Sequence, residues 1–313
     1  MVVVSCEIRT KTNITAKGLG KFRGENDLNS ILKVQHIQMG YNANKSVLKD
    51  ISFSVRQGII FGIVGPSGSG KSTLLNIING QLASTNGQVL FQDQPVRLLD
   101  KAFHQQVTLF SAESGLYEDL TVLDNLKLYA GIYGQSVSKI RDLLRDVGLA
   151  HVENEKIKAL STGMLRRVSI TRAMINNAEL LLLDEPTSNL DPVSAQAVQQ
   201  LISSINSLGT TVILCTHDMQ EAATLCQEVI FLSNGLIIEQ GSPEAIRYKH
   251  MSTQAVQVVT TLNEKFSYDL QKAADRTDLI GLIKNEKVKT IYSSIPTLGD
   301  VFLKLVANGR NKK

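Results

Sequence analysis

Eight residues, Gly65-Pro66-Ser67-Gly68-Ser69-Gly70-Lys71-Ser72, carry the first recognisable chemistry in the chain. They follow the apolar run Ile59-Ile60-Phe61-Gly62-Ile63-Val64 and precede Thr73-Leu74-Leu75-Asn76-Ile77-Ile78. That order reads as a buried strand, a glycine-rich turn and a helix. Small residues let backbone N–H groups curl around phosphate oxygens, and the helix points its positive end at them. Lys71 would reach the β- and γ-phosphates of a nucleoside triphosphate, and the Ser72 hydroxyl would ligate Mg²⁺. Thr73 completes the set expected to touch nucleotide.

A second element, Leu180-Leu181-Leu182-Leu183-Asp184-Glu185-Pro186, ends an apolar strand in two carboxylates. An α/β sheet presents its chemistry at the C-terminal ends of its strands, so Asp184 can hold Mg²⁺, mainly through water, beside Ser72. Glu185 can orient or deprotonate an attacking water. Alone, an Asp-Glu pair after a strand is a solvated turn or a helix cap. The phosphate loop upstream turns it into a hydrolytic site.

These groups need a scaffold, and its pattern is visible. From Val34 to Val64, short apolar-polar alternations broken by Gly and Asn suit a small antiparallel sheet that feeds the phosphate-loop strand. Between about 112 and 178 the chain becomes helical. Thr121 to Asp124 is a capping box opening a helix through Tyr133, and Ile140, Leu143, Leu144 and Val147 repeat at helical spacing before Gly148 stops them. Leu180 to Leu183 and Thr211 to Leu214 read as buried parallel strands around a helix from Ser194 to Leu208. The expected fold is α/β, a P-loop NTPase of RecA-like type with a mostly parallel sheet, an antiparallel β subdomain, a helical insert and a small C-terminal α+β tail. The division expected is a flexible extension over 1–30, a nucleotide-binding unit over 31–243 and an accessory domain over 244–313, cut at Gly241-Ser242-Pro243.

Composition sets limits. With 43% hydrophobic and 20% charged residues over 313 positions, the chain can bury a substantial core. A net charge of +4 is too weak and dispersed to argue for nucleic acid. No apolar run approaches the roughly 20 residues that span a bilayer, and the start of the chain lacks a secretory pattern, so a cytoplasmic location is expected. Cys6, Cys215 and Cys226 show no metal spacing and suit reduced thiols, with Cys215 in the core.

Further motifs resemble those of ATP-binding-cassette (ABC) proteins. Leu160-Ser161-Thr162-Gly163-Met164-Leu165-Arg166-Arg167-Val168-Ser169 resembles the family signature, with Thr for its first glycine and Met for its usual Gln. Ser188-Asn189-Leu190-Asp191 resembles the D-loop, His217 in Thr216-His217-Asp218 the switch histidine, and Tyr41 the aromatic residue that stacks on adenine. The resemblance runs from Tyr41 to about residue 243. It implies ATP and Mg²⁺ as cofactors and a second cassette as partner, identical or not, with two ATPs sandwiched head to tail. Ser161 and Gly163 would then complete the partner's site, and His217 would contact the γ-phosphate in register with Glu185. Asp191 is equally a helix cap ahead of Pro192.

One position departs from the family. Where the Q-loop carries Gln, this chain has Ala112, followed by Glu113, which implies slower hydrolysis or looser coupling to the helical insert. Near the end, Ile295-Pro296-Thr297-Leu298-Gly299-Asp300-Val301-Phe302-Leu303-Lys304-Leu305 resembles the ending of cassettes that serve type-2 exporters, with Gly for the usual Glu. Read from its residues alone, it is a capping box, Thr297 to Asp300, opening a short helix whose Val301, Phe302 and Leu305 dock on the body. The reading that results is an ATP-hydrolysing subunit on the cytoplasmic face of the membrane, driving a separate type-2 permease that docks between Ala112 and Thr121. The alternative is a slow-turnover regulatory or soluble ABC ATPase uncoupled from transport. Neither sequence nor resemblance names the cargo.

Overall fold

The computed structural model describes residues 29–42, 45–111, 115–251, 255–293 and 295–310. Ala112, Glu113, Cys6 and nearly all of the 1–30 extension lie outside them. The chain opens with β1 (Ser30–Asn42) and β2 (Lys45–Arg56), an antiparallel pair whose inward positions, among them Val34, Ile37, Leu48 and Phe53, are buried. β3 (Ile60–Val64) is buried at all five positions and runs through residues 65–70 into α1 (Lys71–Ile78). β4 (Asn86–Phe91) and β5 (Gln94–Pro95) complete a four-stranded antiparallel sheet in the order β2-β1-β4-β5.

After α2 (Lys101–His104) and β6 (Val107–Phe110) come three mutually packed helices, α3 (Val122–Ile132), α4 (Val137–Asp146) and α5 (Thr162–Met174). Each starts where a hydroxyl accepts from a free N–H three residues on: Thr121 from Asp124, Ser136 from Lys139, Ser161 from Met164. Gly148, at φ 69°, ends the second of them in the left-handed conformation a glycine adopts without penalty. The α/β alternation then resumes with β7 (Leu180–Asp184), α6 (Pro192–Ser207), β8 (Thr211–Thr216), α7 (Met219–Leu225), β9 (Glu228–Ser233) and β10 (Leu236–Gly241).

The second sheet has the order β10-β9-β3-β8-β7-β6, and every neighbouring pair is parallel except β10 with β9. Covered on both faces, its strands can be apolar throughout. Leu180 and Leu182 face the core shared with α1 and the four-stranded sheet, while Leu181 and Leu183 face the core under α5, α6 and α7. Because β3, β7 and β8 run the same way, their C-terminal ends, at Val64, Asp184 and Thr216, emerge along one edge.

The remaining residues form α8 (Pro243–Lys249), β11 (Ala255–Thr260), β12 (Lys265–Asp269), α9 (Ala273–Lys284), β13 (Val288–Ser293) and α10 (Leu298–Arg310), with a three-stranded antiparallel sheet ordered β12-β11-β13. The capping box at Thr297 forms: its N–H and hydroxyl both donate to Asp300. The helix it opens runs 13 residues, longer than the short one expected, and buries Val301 and Phe302 against the main core. No helix among the described residues is long and apolar enough to cross a membrane.

Candidate functional site

The phosphate loop is built by exclusion of side chains. A Cβ on Gly65 would lie 2.1 Å from the Leu232 carbonyl oxygen, so the loop can leave β3 only at a glycine. Gly68 sits at φ 76° with nothing within 4 Å of a Cβ, which leaves its backbone open toward the loop's concave side. Gly70 caps α1 at φ 109° in the left-handed conformation. Pro66, Ser67 and Ser69 lie between, and the Ser69 N–H closes the turn on the Pro66 carbonyl at 3.2 Å. Lys71 is 6% exposed, and its ammonium donates to the Gly65 and Pro66 carbonyls at 2.8 and 3.2 Å. Those carbonyls hold the cation at the place where phosphate oxygens would compete for it.

Glu185 pairs with that ammonium, and Asp184 and His217 stand beside Glu185. Asp184 ends β7 half-buried. Burial lifts its carboxyl above the usual carboxylate range, against the Ser72 hydroxyl bonded to it and the Lys71 charge. Its Oδ1 is buried and has no hydrogen-bond partner. A hydroxyl and an unsatisfied carboxylate oxygen are hard donors of the kind Mg²⁺ takes, with water and phosphate oxygens completing its shell. Glu185 lies 3.3 Å from Lys71 through one carboxylate oxygen and 2.7 Å from His217 Nδ1 through the other. His217 is exposed, and the Glu185 N–H donates to the Cys215 carbonyl of β8, joining the two strand ends.

Tyr41, 59% exposed, reaches back from β1 to place its hydroxyl 3.5 Å from that of Thr73. An exposed aromatic ring thus stands beside α1. On the far side of the helical segment, Ser161 caps α5, and Gly163 abuts α6, where a Cβ would come within 2.4 Å of Ser194 Oγ. Asp191 caps α6 through Val193 and Ser194. These hydrogen bonds, the Ser194 side chain foremost, hold its carboxyl below the usual range. The structure thus brings Lys71, Ser72, Asp184, Glu185, His217 and Tyr41 to one edge and sets Ser161, Gly163 and Asp191 together along the α5–α6 seam.

Two contributors escaped the sequence reading. The Arg166 guanidinium lies 5.7 Å over the Phe110 ring and donates to the Ser188 carbonyl, tying α5 to the end of β6 and to the turn before α6. Glu221 is buried beneath the Glu185 and His217 turns. Arg166 stands inside the signature stretch, but its partners Phe110 and Ser188 lie outside it, and Glu221 stands in no motif that the sequence reading used.

The family described as ABC transporter matches residues 48–188. Over 280 residues the chain is 31% identical to a fluoroquinolones export ATP-binding protein of Mycobacterium tuberculosis, covering 88% of this chain and 93% of that one. It is 32% identical over 208 residues to a lantibiotic transport ATP-binding protein of Streptococcus pyogenes, covering 66% and 89%. Among solved structures, a nucleotide-free ATP-binding cassette from an ABC transporter superposes with a TM-score of 0.63 at 26% identity, over 70% of this chain and 94% of that one. A dimeric cassette in a post-hydrolysis state bound to ADP and Pi gives 0.61 at 28% identity, over 67% and 98%. With the fold, the phosphate loop and these relatives in agreement, the chain belongs to the ABC transporter family and is a nucleotide-binding ATPase of the P-loop type.

Proposed function

We propose that the chain is the ATP-hydrolysing subunit of an exporter, pairing with a second cassette across two ATPs and driving a separate membrane permease of the type-2 class. The observation that carries the hydrolytic part is the pairing of Glu185 at the mouth of the phosphate loop, one carboxylate oxygen ion-paired with Lys71 and the other hydrogen-bonded to His217. In this reading the loop N–H groups and Lys71 hold the β- and γ-phosphates, and Tyr41 stacks on adenine. Ser72 and Asp184 would hold Mg²⁺, whose charge would offset that of the phosphate oxygens. Glu185 takes the proton of the attacking water, and His217 fixes its carboxylate and contacts the γ-phosphate. Ser161 and Gly163, at the start of α5, offer a second helix terminus to the nucleotide of the partner cassette.

The export direction draws on the relatives, whose names include fluoroquinolone, lantibiotic and Nod factor export or transport. Cargo of drug, lipid or polysaccharide type fits that company. The type-2 class draws on the Thr297–Asp300 ending, and the docking site on Tyr117 and Leu120, 61% and 37% exposed before α3. Exposed apolar side chains of that size mark surfaces that meet partners. The chain would then work peripherally on the cytoplasmic face, with residues 31–243 as the cassette and 244–313 as an accessory domain.

Sedimentation of Glu185→Gln tests the nucleotide part. With ATP and Mg²⁺ the variant should run as a dimer and turn over at least about a hundredfold more slowly than wild type. A variant that stays monomeric, or hydrolyses at the wild-type rate, contradicts the reading.

A further inference from the structure

Behind the Glu185–His217 pair lies a carboxyl that the proposed chemistry does not use. Glu221, in the first turn of α7, is 1% exposed. Its Oε1 accepts a 2.7 Å hydrogen bond from Thr187 Oγ1, two residues after Glu185. The Thr216 hydroxyl, one residue before His217, lies near the Glu221 carboxyl, and the Glu221 N–H donates to the Asp218 carboxylate at 3.2 Å, one residue after His217. Thr216 Oγ1 in turn accepts from the Asp218 N–H, and Asp218 caps the helix that carries Glu221. One buried side chain therefore grips the two turns that present Glu185 and His217, from the side away from the phosphate loop.

The grip is costly, because Glu221 Oε2 is buried without a hydrogen-bond partner. Its neighbours Ala222 and Leu225 are buried too, so an apolar residue would pack here without the penalty of a desolvated carboxyl. Glu185 meanwhile holds φ at 51°, a conformation a non-glycine residue keeps only when its surroundings enforce it.

We propose that Glu221 is a positioning residue for hydrolysis: through Thr187 on one side and Asp218 with Thr216 on the other it locks the Glu185 turn to the His217 turn, so that the water-activating carboxylate and the phosphate-contacting imidazole move as one unit. This rests on the roles given above to Glu185 and His217. Glu221 itself does not touch the nucleotide. Burial raises the carboxyl's affinity for a proton, with the nearby Asp218 and Glu185 charges adding to it. Glutamine keeps the side-chain length and an oxygen that can accept from Thr187, so Gln should serve in its place.

Steady-state hydrolysis of MgATP by the full chain, with a direct ATP-binding titration, decides the matter. Glu221→Ala and Thr187→Val should each lower kcat about tenfold or more while KM and ATP affinity stay within about twofold, because small misplacements cost rate rather than ground-state binding. The double variant should be no slower than the slower single one within about twofold, as expected of two ends of one contact. Glu221→Gln should recover most of the rate. Wild-type kcat in Glu221→Ala, parallel changes in kcat and KM, or multiplying effects in the double variant would overturn the proposal. Should Glu221→Ala fail to fold, Thr187→Val and Glu221→Gln carry the same test. Glu185→Gln and His217→Ala run alongside: if they lose hydrolysis and the Glu221 and Thr187 variants do not, the positioning role fails alone; if they hydrolyse normally, the underlying site assignment fails and takes the inference with it.

Discussion

At the mouth of the site, single residues do what their immediate surroundings force on them. Gly65 has no room for a methyl group, since a Cβ would overlap the Leu232 carbonyl that neighbours the loop. Gly65→Ala should therefore displace the phosphate loop and abolish ATP binding in a titration, whereas Ser67→Ala, at an exposed position, should bind ATP within about tenfold of wild type. Asp191 illustrates the electrostatic counterpart. Its carboxyl is held below the ordinary range by the Ser194 side chain first and the Ser194 and Val193 N–H groups after it, so the cap stabilises the fold fully above the unfolded-state value and loses that contribution as pH falls through the folded-state value. Thermal melts of wild type and Asp191→Ala should differ at pH 7 and converge toward pH 3; a gap that widens in acid would contradict this. At this scale Lys71, Ser72, Asp184, Glu185 and His217 were legible because each sits in a local motif whose chemistry depends on its neighbours in sequence. Arg166 and Glu221 were not, because their partners Ser188 and Thr187 lie 22 and 34 residues away. Ala112, where the family carries Gln, lies outside the described residues, and the slower hydrolysis it implies awaits comparison with Ala112→Gln.

Among the elements, starts were easier to read than neighbours. Thr121, Ser161, Asp191 and Thr297 act as caps where the sequence placed helix openings, since capping is settled within four residues. The order β10-β9-β3-β8-β7-β6 was not readable, because β3 lies between β8 and β9, strands more than 140 residues along the chain that no local period identifies. The same is true of the reach of α10, whose Phe302 packs edge-on against Phe231 of β9 at 5.5 Å. Phe302→Ala should cost about 3–5 kcal/mol of stability in denaturant titration. A loss under about 1 kcal/mol would mean that α10 rests on the cassette without contributing to its fold.

For the molecule as a whole, the edge where β3, β7 and β8 end presents the proposed ATP site, while the exposed Tyr117 and Leu120 form the surface we propose for a membrane partner. Tyr117→Asp with Leu120→Asp should leave ATP affinity within about twofold of wild type and release the protein from membranes, since charge replaces apolar contact outside the nucleotide site. The measurement that bears most directly on export is mass spectrometry of what accompanies the tagged Glu185→Gln chain from gently solubilised membranes in MgATP. A multi-spanning protein in stoichiometric amount, lost on introducing the two Asp substitutions, is the result expected. Recovery of the chain only from the soluble fraction, alone or with ribosomes, would contradict an exporter subunit and leave a regulatory or translation-linked cassette in its place.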